Sequence, residues 1–316
     1  MILSGRALAV VGALITVSPQ VAAASPARAA APRIERASSL RSRVGPPDAL
    51  VMETFRDAGG SEITPHALTE QEWAVVDSVL GKLPPLHRRV LQGHLRRLSF
   101  VDLKPGAGNA LTSRADPDGK GDAFDITLRA SLLHETLTDF LTAKDAGLFE
   151  DDGSGYRVRF NAGRADALTY VLLHEATHVV DQVLGLTADA DGPVRKALWI
   201  GSRDLAEPYA SSLAAKTRFR GSSRIPVHQA ANYYRALART PFVSFYATAA
   251  ASEDLAELAA WRQLSHHGRK LSVTVVDATG RRVFRYEPLK SASVRRRLAM
   301  LDALGLFRSD WPDQIR

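Results

Sequence analysis

The pattern of apolar and polar positions predicts one long buried helix near the middle of the chain. Residues 165–184 are apolar on nearly every face, and Gly185 follows at the position where helices often end. The polar residues of this segment are spaced by three and four, so they fall on one narrow stripe. The stripe consists of His174, Thr177, His178 and Asp181, and Glu175 and Gln182 run alongside it. Polar side chains on a buried helix need partners, which makes this stripe the first candidate for chemistry.

Weaker periodicities predict further helices and strands on both sides of this helix. Helices are predicted at 69–80, 85–95, 229–239, 252–261 and 293–304. Strands are predicted at 98–103, 124–130 and 156–160, a β-hairpin at 271–287, and an extended segment at 240–247. The strand at 124–130 alternates with a period of two, so we expect it to be half-buried. The mixture favours an α+β fold, mainly α, with a small sheet, a central helix and a C-terminal β-hairpin.

The N-terminal segment has the pattern of a signal peptide. Arg6 precedes an apolar run at residues 7–17, and an Ala-x-Ala site ends at Ala24, near which we expect cleavage. An uncleaved anchor is the alternative, although this run is short for a membrane span. Residues 25–47 lack periodicity and are rich in Ala, Arg, Ser and Pro, which predicts a disordered linker. Residues 48–316 are then expected to form a single domain, in a monomeric protein that is secreted or periplasmic and of bacterial type.

Composition and charge narrow the possible partners. The chain has no cysteine, so disulfides and thiolate ligands are excluded and a metal ion must bind to His, Glu or Asp. Its net charge is +7, or +6 once Arg6 has left with the signal peptide. This modest excess fits association with an anionic cell-envelope surface, and it fits ordinary solvated helix faces as well. No basic cluster has interleaved aromatic residues, which argues against a nucleic-acid partner.

The central helix carries the pattern H-E-x-x-H at His174, Glu175 and His178. Two imidazoles one helical turn apart can bind the same Zn²⁺, and the intervening glutamate can take a proton from zinc-bound water. The alternative is a core helix whose two histidines are held by hydrogen bonds. The location of the pattern on the most apolar helix of the mature chain favours zinc. Leu184 stands where an extended motif would have a third histidine, so another element must supply the third ligand.

A carboxylate is the expected third ligand. Glu253 and Glu257 are four residues apart on one predicted helix, so one can bind the metal while the other accepts the N–H of a liganded imidazole. An acidic, solvated helix N-terminus explains this pair equally well. Glu207 is the competing ligand, because it lies closer to His178 in the sequence.

The H-E-x-x-H motif, followed downstream by Tyr246 and by Glu253-x-x-x-Glu257, resembles the Glu-zincin (gluzincin) zinc metallopeptidases. The resemblance covers residues 165–261 and is strongest to the lethal-factor-type branch and to uncharacterised secreted bacterial zincins. It implies a zincin-like fold in which His174, His178 and Glu253 bind Zn²⁺. It also implies that Glu257 orients a liganded imidazole and that Tyr246 stabilises the oxyanion. We expect Asp181, on the polar stripe, to orient a metal ligand as Glu257 does.

These observations predict a secreted or periplasmic zinc-dependent metallohydrolase, in the first place a peptidase, in which Glu175 is the general base. As the resemblance implies, the strand at 124–130 is expected to be the sheet edge that pairs with an extended protein or peptide substrate. Two alternatives are open: a zinc amidase acting on cell-wall peptide, and a catalytically silent zincin that acts as a binding module. The alternative role of Tyr246 is that of a core aromatic residue packed with Phe242 and Phe245.

Overall fold

The structure is a computed structural model that describes residues 38–57, 62–103, 108–116, 121–266 and 271–308. The predicted signal peptide at 1–24 and residues 25–37 of the predicted linker lie outside these ranges. About 46% of the described residues are helical and 18% are strand, so helices and small sheets are mixed and helix predominates, as predicted. Within the described ranges, no helix is long and apolar enough to cross a membrane.

The chain divides into two compact units, where the sequence suggested one domain over residues 48–316. The first unit holds the described residues up to Leu80 together with Arg89–Ala130. The second unit holds Gly81–Arg88 and the described residues from Ser131 onward.

The first unit contains a four-stranded sheet. Its helices are α1 (Ala49–Asp57), most of α2 (Glu70–Lys82) and most of α3 (Pro85–His94). The last residues of α2 and the first residues of α3 belong to the second unit. Its strands are β1 (Thr64–Pro65), β2 (Leu95–Asp102), β3 (Ala110–Arg114) and β4 (Phe124–Arg129), in the order β1-β2-β4-β3. Apolar residues of α1 pack in one buried cluster with Ile63 and with Val101 of β2.

Strand β4 corrects the predicted role of residues 124–130. We expected a half-buried edge strand that is open to a substrate, but β4 lies between β2, which is parallel to it, and β3, which is antiparallel. Both of its hydrogen-bonding edges are therefore occupied, and an extended peptide cannot pair with it. The polar residues Asp125 and Thr127 of the alternation are buried as well, and Asp125 is paired there with Arg96, whose Nε lies 2.9 Å from Oδ1.

Residues 38–47, predicted as the end of a disordered linker, are packed in the first unit. Leu40 and Arg43 are buried. The Arg43 guanidinium donates hydrogen bonds of 2.6–2.8 Å to the carbonyl oxygens of Leu91, Gln92 and Leu95, at the C-terminal end of α3. Because the helix ends there, no backbone N–H of a following turn donates to these carbonyl oxygens. The arginine supplies their hydrogen-bond donors. Composition alone predicts disorder, because it does not reveal this tertiary contact.

The second unit is built around the predicted central helix, α5. Its helices are α4 (Leu137–Ala146), α5 (Ala167–Leu184), α6 (Ala230–Leu237), α7 (Ala251–His266) and α8 (Ala292–Ala303). Its strands are β5 (Phe149–Glu150), β6 (Arg157–Asn161), β7 (Ile225–Pro226), β8 (Ser272–Val276) and β9 (Arg282–Tyr286). Helix α5 begins where the Asp166 side chain accepts the Thr169 N–H at 2.6 Å, and it ends at Gly185 with a φ of 68°. Helix α7 packs against α5.

The other predicted elements of this unit are mostly confirmed. Strands β8 and β9 form the predicted hairpin, and β6 pairs with β8 to complete a three-stranded antiparallel sheet. The segment at 240–247 is not extended as predicted. It bends and starts a short 3-10 helix at Tyr246, because the Thr240 and Ser244 hydroxyls accept backbone N–H groups of Phe242 and Ala247.

Candidate metal centre

Helices α5 and α7 bring three potential metal ligands to one point. His174 and His178 lie one turn apart on α5, and Glu253 lies in the first turn of α7. Nε2 of His174 is 3.0 Å from Oε2 of Glu253 and 3.2 Å from Nε2 of His178. Nε2 of His178 is 3.5 Å from the same carboxylate oxygen. All three side chains are buried, and the triad could hold a metal ion.

The separations between these three atoms test whether an ion fits among them. In a tetrahedral zinc site with bonds of about 2.05 Å, neighbouring ligand atoms lie about 3.3 Å apart. The three observed separations, from 3.0 to 3.5 Å, bracket this value. The two imidazoles also turn the same ring nitrogen, Nε2, toward the common point, as binding to a shared ion requires.

Glu257 lies on the other side of His174, away from the triad. Its Oε1 atom is 3.3 Å from Nδ1 of His174, the ring nitrogen that does not face the triad. Three donors hold this carboxylate: Nζ of Lys144 at 3.0 Å and the Tyr170 hydroxyl on Oε1, and the Ser244 hydroxyl at 2.6 Å on Oε2. Glu257 therefore lies within ion-pair distance of Nδ1 of His174, without the alignment of a hydrogen bond, and its three donors fix its position.

Lys144, Tyr170 and Ser244 are site residues that the sequence reasoning missed. Tyr170 could have been found, since it precedes His174 by four residues and lies on the same side of the helix. Ser244 lies in the short segment before Tyr246, but nothing in the sequence pairs it with Glu257. Lys144 comes from α4, and no periodicity or motif connects it with the central helix. Its ammonium group also lies 4.2 Å from the centre of the Tyr246 ring.

Tyr246 lines the site, beside His174. Its ring is stacked on His174 with centroids 5.8 Å apart, and the Phe219 ring meets it edge-on at 5.0 Å. The rings of Phe242 and Phe245 pack against Trp199 and Tyr234. Burial raises the pKa of the Tyr246 hydroxyl well above its ordinary value, and the charges of Glu253 and Glu175 and a hydrogen bond to Glu253 raise it further.

The three remaining candidate site residues, Glu175, Asp181 and Glu207, differ in their position relative to the triad. Glu175 is buried and lies near enough to Tyr246 for its charge to act on that hydroxyl. Asp181 does not support a ligand as expected, because its carboxylate accepts hydrogen bonds from N–H and hydroxyl of Thr187 at 2.7 and 2.6 Å. Nδ1 of His178 is buried and has no hydrogen-bond partner among the described residues. Glu207 is exposed and accepts a hydrogen bond from Ser211, outside the triad.

The turn after α5 explains where Asp181 points. Gly185 adopts a left-handed conformation and reverses the chain, so that Thr187 returns toward the last turn of the helix. The Asp181 carboxylate closes this turn, and no hydrogen bond joins it to the imidazole of His178 in the described residues. The polar stripe therefore serves two purposes, a metal centre in its first half and a helix end in its second.

The buried charges of the site favour a cation at its centre. The carboxylates of Glu175, Glu253 and Glu257 and the ammonium of Lys144 give a formal charge of −2 before the imidazoles are counted. Burial acts to lower the pKa of His174, but contacts with Glu253 and Glu257 outweigh it and raise this pKa to about 10. Burial acts to raise the pKa of Glu253, and contacts with His178 and His174 reverse this and lower it. The carboxylates thus hold a proton on the imidazole, and a divalent cation would neutralise the formal charge instead.

The donor set limits the chemistry that this centre can perform. Two imidazole nitrogens and one carboxylate oxygen are a typical ligand set of catalytic zinc, in which the fourth position is open to water or substrate. Structural zinc sites use four protein ligands. Comparison of the chain with protein families, with curated proteins and with solved structures finds no match.

Proposed function

We propose that this protein is a zinc-dependent metallohydrolase, secreted or periplasmic, that cleaves peptide bonds. The observation that carries the proposal is the convergence of His174, His178 and Glu253, whose ligand atoms lie 3.0–3.5 Å apart in a buried site. The location of Glu253 on a helix downstream of the H-E-x-x-H helix supports a zincin-like fold of the gluzincin type. The presence of Glu175 favours a catalytic metal site over a structural one, because the ligand triad is complete without this residue.

The residues around the triad have distinct roles in the proposed reaction. A zinc ion held by the triad supplies a Lewis acid that lowers the pKa of a water molecule and polarises the scissile carbonyl. Glu175 takes a proton from the attacking water and passes it to the leaving amine. Tyr246 donates a hydrogen bond to the oxyanion, and its raised pKa keeps it protonated at neutral pH. Its hydroxyl bonds to Glu253 in the structure, so it changes partner when substrate binds.

Glu257 and its three donors prepare His174 for this reaction. A carboxylate next to Nδ1 favours the tautomer whose proton is on that nitrogen, which leaves the lone pair of Nε2 for the metal. The donors from Lys144, Tyr170 and Ser244 come from three different segments of the second unit. This support fixes the imidazole before substrate arrives, so that less reorganisation is needed during the reaction.

The experiment that tests this function is cleavage profiling of the zinc-loaded protein on a peptide mixture, with purified cell-wall peptide assayed in parallel. Glu175→Gln is the matched control, because it keeps the side chain's size and none of the metal ligands is changed. We expect peptide hydrolysis by the native chain and, in Glu175→Gln, full zinc content with turnover lower by at least roughly 100-fold. Hydrolysis of cell-wall peptide alone would indicate an amidase. No turnover of either substrate by a fully zinc-loaded protein would contradict the proposal and favour a binding module.

A further inference from the structure

The three-stranded sheet of the second unit has one buried face and one face crowded with arginines. On the buried face lie Val158, Phe160, Val273 and Val275. Because side chains alternate along a strand, the neighbouring positions of β6 and β8 point the other way. The register with β8 places Arg285 and, beyond a β-bulge, Arg282 opposite two of these positions. We name this outer surface the arginine face. It consists of Arg157 and Arg159 of β6, Thr274 and Val276 of β8, and Arg282 and Arg285 of β9.

The strand register places the four arginines in two rows across the sheet. Arg157 is opposite Val276, which is opposite Arg282. Arg159 is opposite Thr274, which is opposite Arg285. Arginines of one row are two strands apart, roughly 10 Å, and the rows are two residues apart along β6, roughly 7 Å.

Acidic residues do not balance this face. Arg157, Arg159 and Arg282 are exposed and have no ion pair with any described residue. Arg285 pairs with Glu287 at 2.9 Å, but Glu287 also pairs with Lys290, so this group of three keeps a net positive charge. Positive charges held this close repel one another, and nothing in the sheet requires arginine at these exposed positions. A binding role explains why they are there.

We propose that the arginine face binds the surface of a membrane that contains anionic phospholipids. The four arginines lie on one exposed face of the sheet and are spread over roughly 7 by 10 Å. A spread array of this kind can contact several phosphate groups of an extended anionic surface at once, and each guanidinium can make two hydrogen bonds to a phosphate. Each basic residue near such a surface adds about 1 kcal/mol of attraction.

The geometry of the face disfavours the other anions that arginines recognise. One phosphate group needs donors that converge on it, whereas these four groups are spread over roughly 7 by 10 Å. Single-stranded nucleic acid binds through aromatic side chains that stack on its bases, and no aromatic residue is among the six that form this face. The inference does not depend on the metal centre, so it can fail or hold independently of the proposed function.

The test is co-sedimentation of the full chain with vesicles of phosphatidylcholine, alone or mixed with phosphatidylglycerol, at physiological ionic strength. The variant Arg157→Gln/Arg159→Gln/Arg282→Gln removes the three arginines that lack ion pairs. The matched control, Arg239→Gln/Arg295→Gln/Arg296→Gln, loses the same net charge from exposed positions on and after helices. Circular dichroism verifies that both variants are folded. Should the triple variant fail to fold, Arg159→Gln alone replaces it.

We expect the native chain to bind vesicles that contain phosphatidylglycerol, and not those of phosphatidylcholine alone. The face variant should lose roughly 100-fold in partition coefficient, or about 5-fold for Arg159→Gln alone, while the control changes little. Equal losses in the two triple variants would overturn the proposal, because net charge and not this face would then explain binding. Failure of the native chain to bind anionic vesicles would also overturn the proposal. If the same protein then bound duplex DNA in a parallel gel-shift assay, the partner would be a nucleic acid and not a membrane.

Discussion

Replacing Lys144 with methionine tests how the buried charges of the metal centre are balanced. The ammonium group lies 3.0 Å from Oε1 of Glu257, and both side chains are almost fully buried. At this separation two unit charges attract by about 5 kcal/mol when the effective dielectric constant is about 20. Lys144→Met keeps much of the apolar stem but leaves Glu257 with two neutral donors and the imidazole of His174. Removing one partner of a buried pair costs about 3–5 kcal/mol, and we expect a loss of this size in metal-free protein.

The assay is urea unfolding of the metal-free protein, with zinc affinity measured separately by competition with a chelator. A second variant, Lys144→Met/Glu257→Gln, removes both charges, and we expect it to be more stable than Lys144→Met by roughly 1–3 kcal/mol. The control is Lys82→Met, which breaks a pair with Asp166 at 3.5 Å whose side chains are 43% and 32% exposed. Such a surface pair contributes at most about 1 kcal/mol.

Zinc affinity separates a general loss of stability from the proposed orientation of His174. If Glu257 orients the imidazole and Lys144 holds Glu257, Lys144→Met should weaken zinc binding by roughly 10–100-fold. Lys82→Met should leave zinc binding unchanged. The reasoning is refuted if Lys144→Met is no less stable than Lys82→Met, or if the double variant is less stable than Lys144→Met.

Three further predictions concern individual side chains. Glu253→Ala should empty the metal site, measured as zinc content after dialysis, whereas Glu257→Ala should weaken affinity by only ~10–100-fold; equal zinc content in the two variants would contradict this. Tyr246→Phe should keep zinc content and thermal stability but lower kcat by roughly 100-fold with little change in KM; an unchanged kcat would return Tyr246 to a packing role. Burial raises the pKa of Asp145 from 3.8 to about 6, despite the opposing Tyr234 hydrogen bond, so its protonated form is favoured by folding. This stability is complete below pH ~4 and is lost as pH rises through about 6, and Asp145→Asn should remove about 3 kcal/mol of that pH dependence in unfolding experiments.

The sequence by itself determined the features that depend on near neighbours along the chain. The spacing of His174 and His178 places both imidazoles on one side of a helix, because backbone hydrogen bonds between residues four apart fix that geometry. Gly185 ends the helix for a similarly local reason, since glycine enters the left-handed conformation without steric cost. The hairpin of β8 and β9 also follows from a short turn between two strands that mix apolar and polar residues.

Tertiary structure alone decided which distant residues complete the site. Spacing left Glu253 and Glu207 as alternative ligands, and only the packing of α7 on α5 brings Glu253 to the two imidazoles. Lys144 reaches Glu257 from another helix, across more than a hundred residues of sequence, so no local pattern could assign it.

The same distinction explains the predictions that were wrong. Strand β4 became internal because β2 and β3 pair with its two edges, and alternation within one strand carries no information about its neighbours in the sheet. Asp181 shares the polar stripe with the ligands, but Thr187 competes for its carboxylate from beyond the helix end. Helix periodicity specifies the direction in which a side chain leaves the backbone, whereas the partner it meets depends on how separate elements pack.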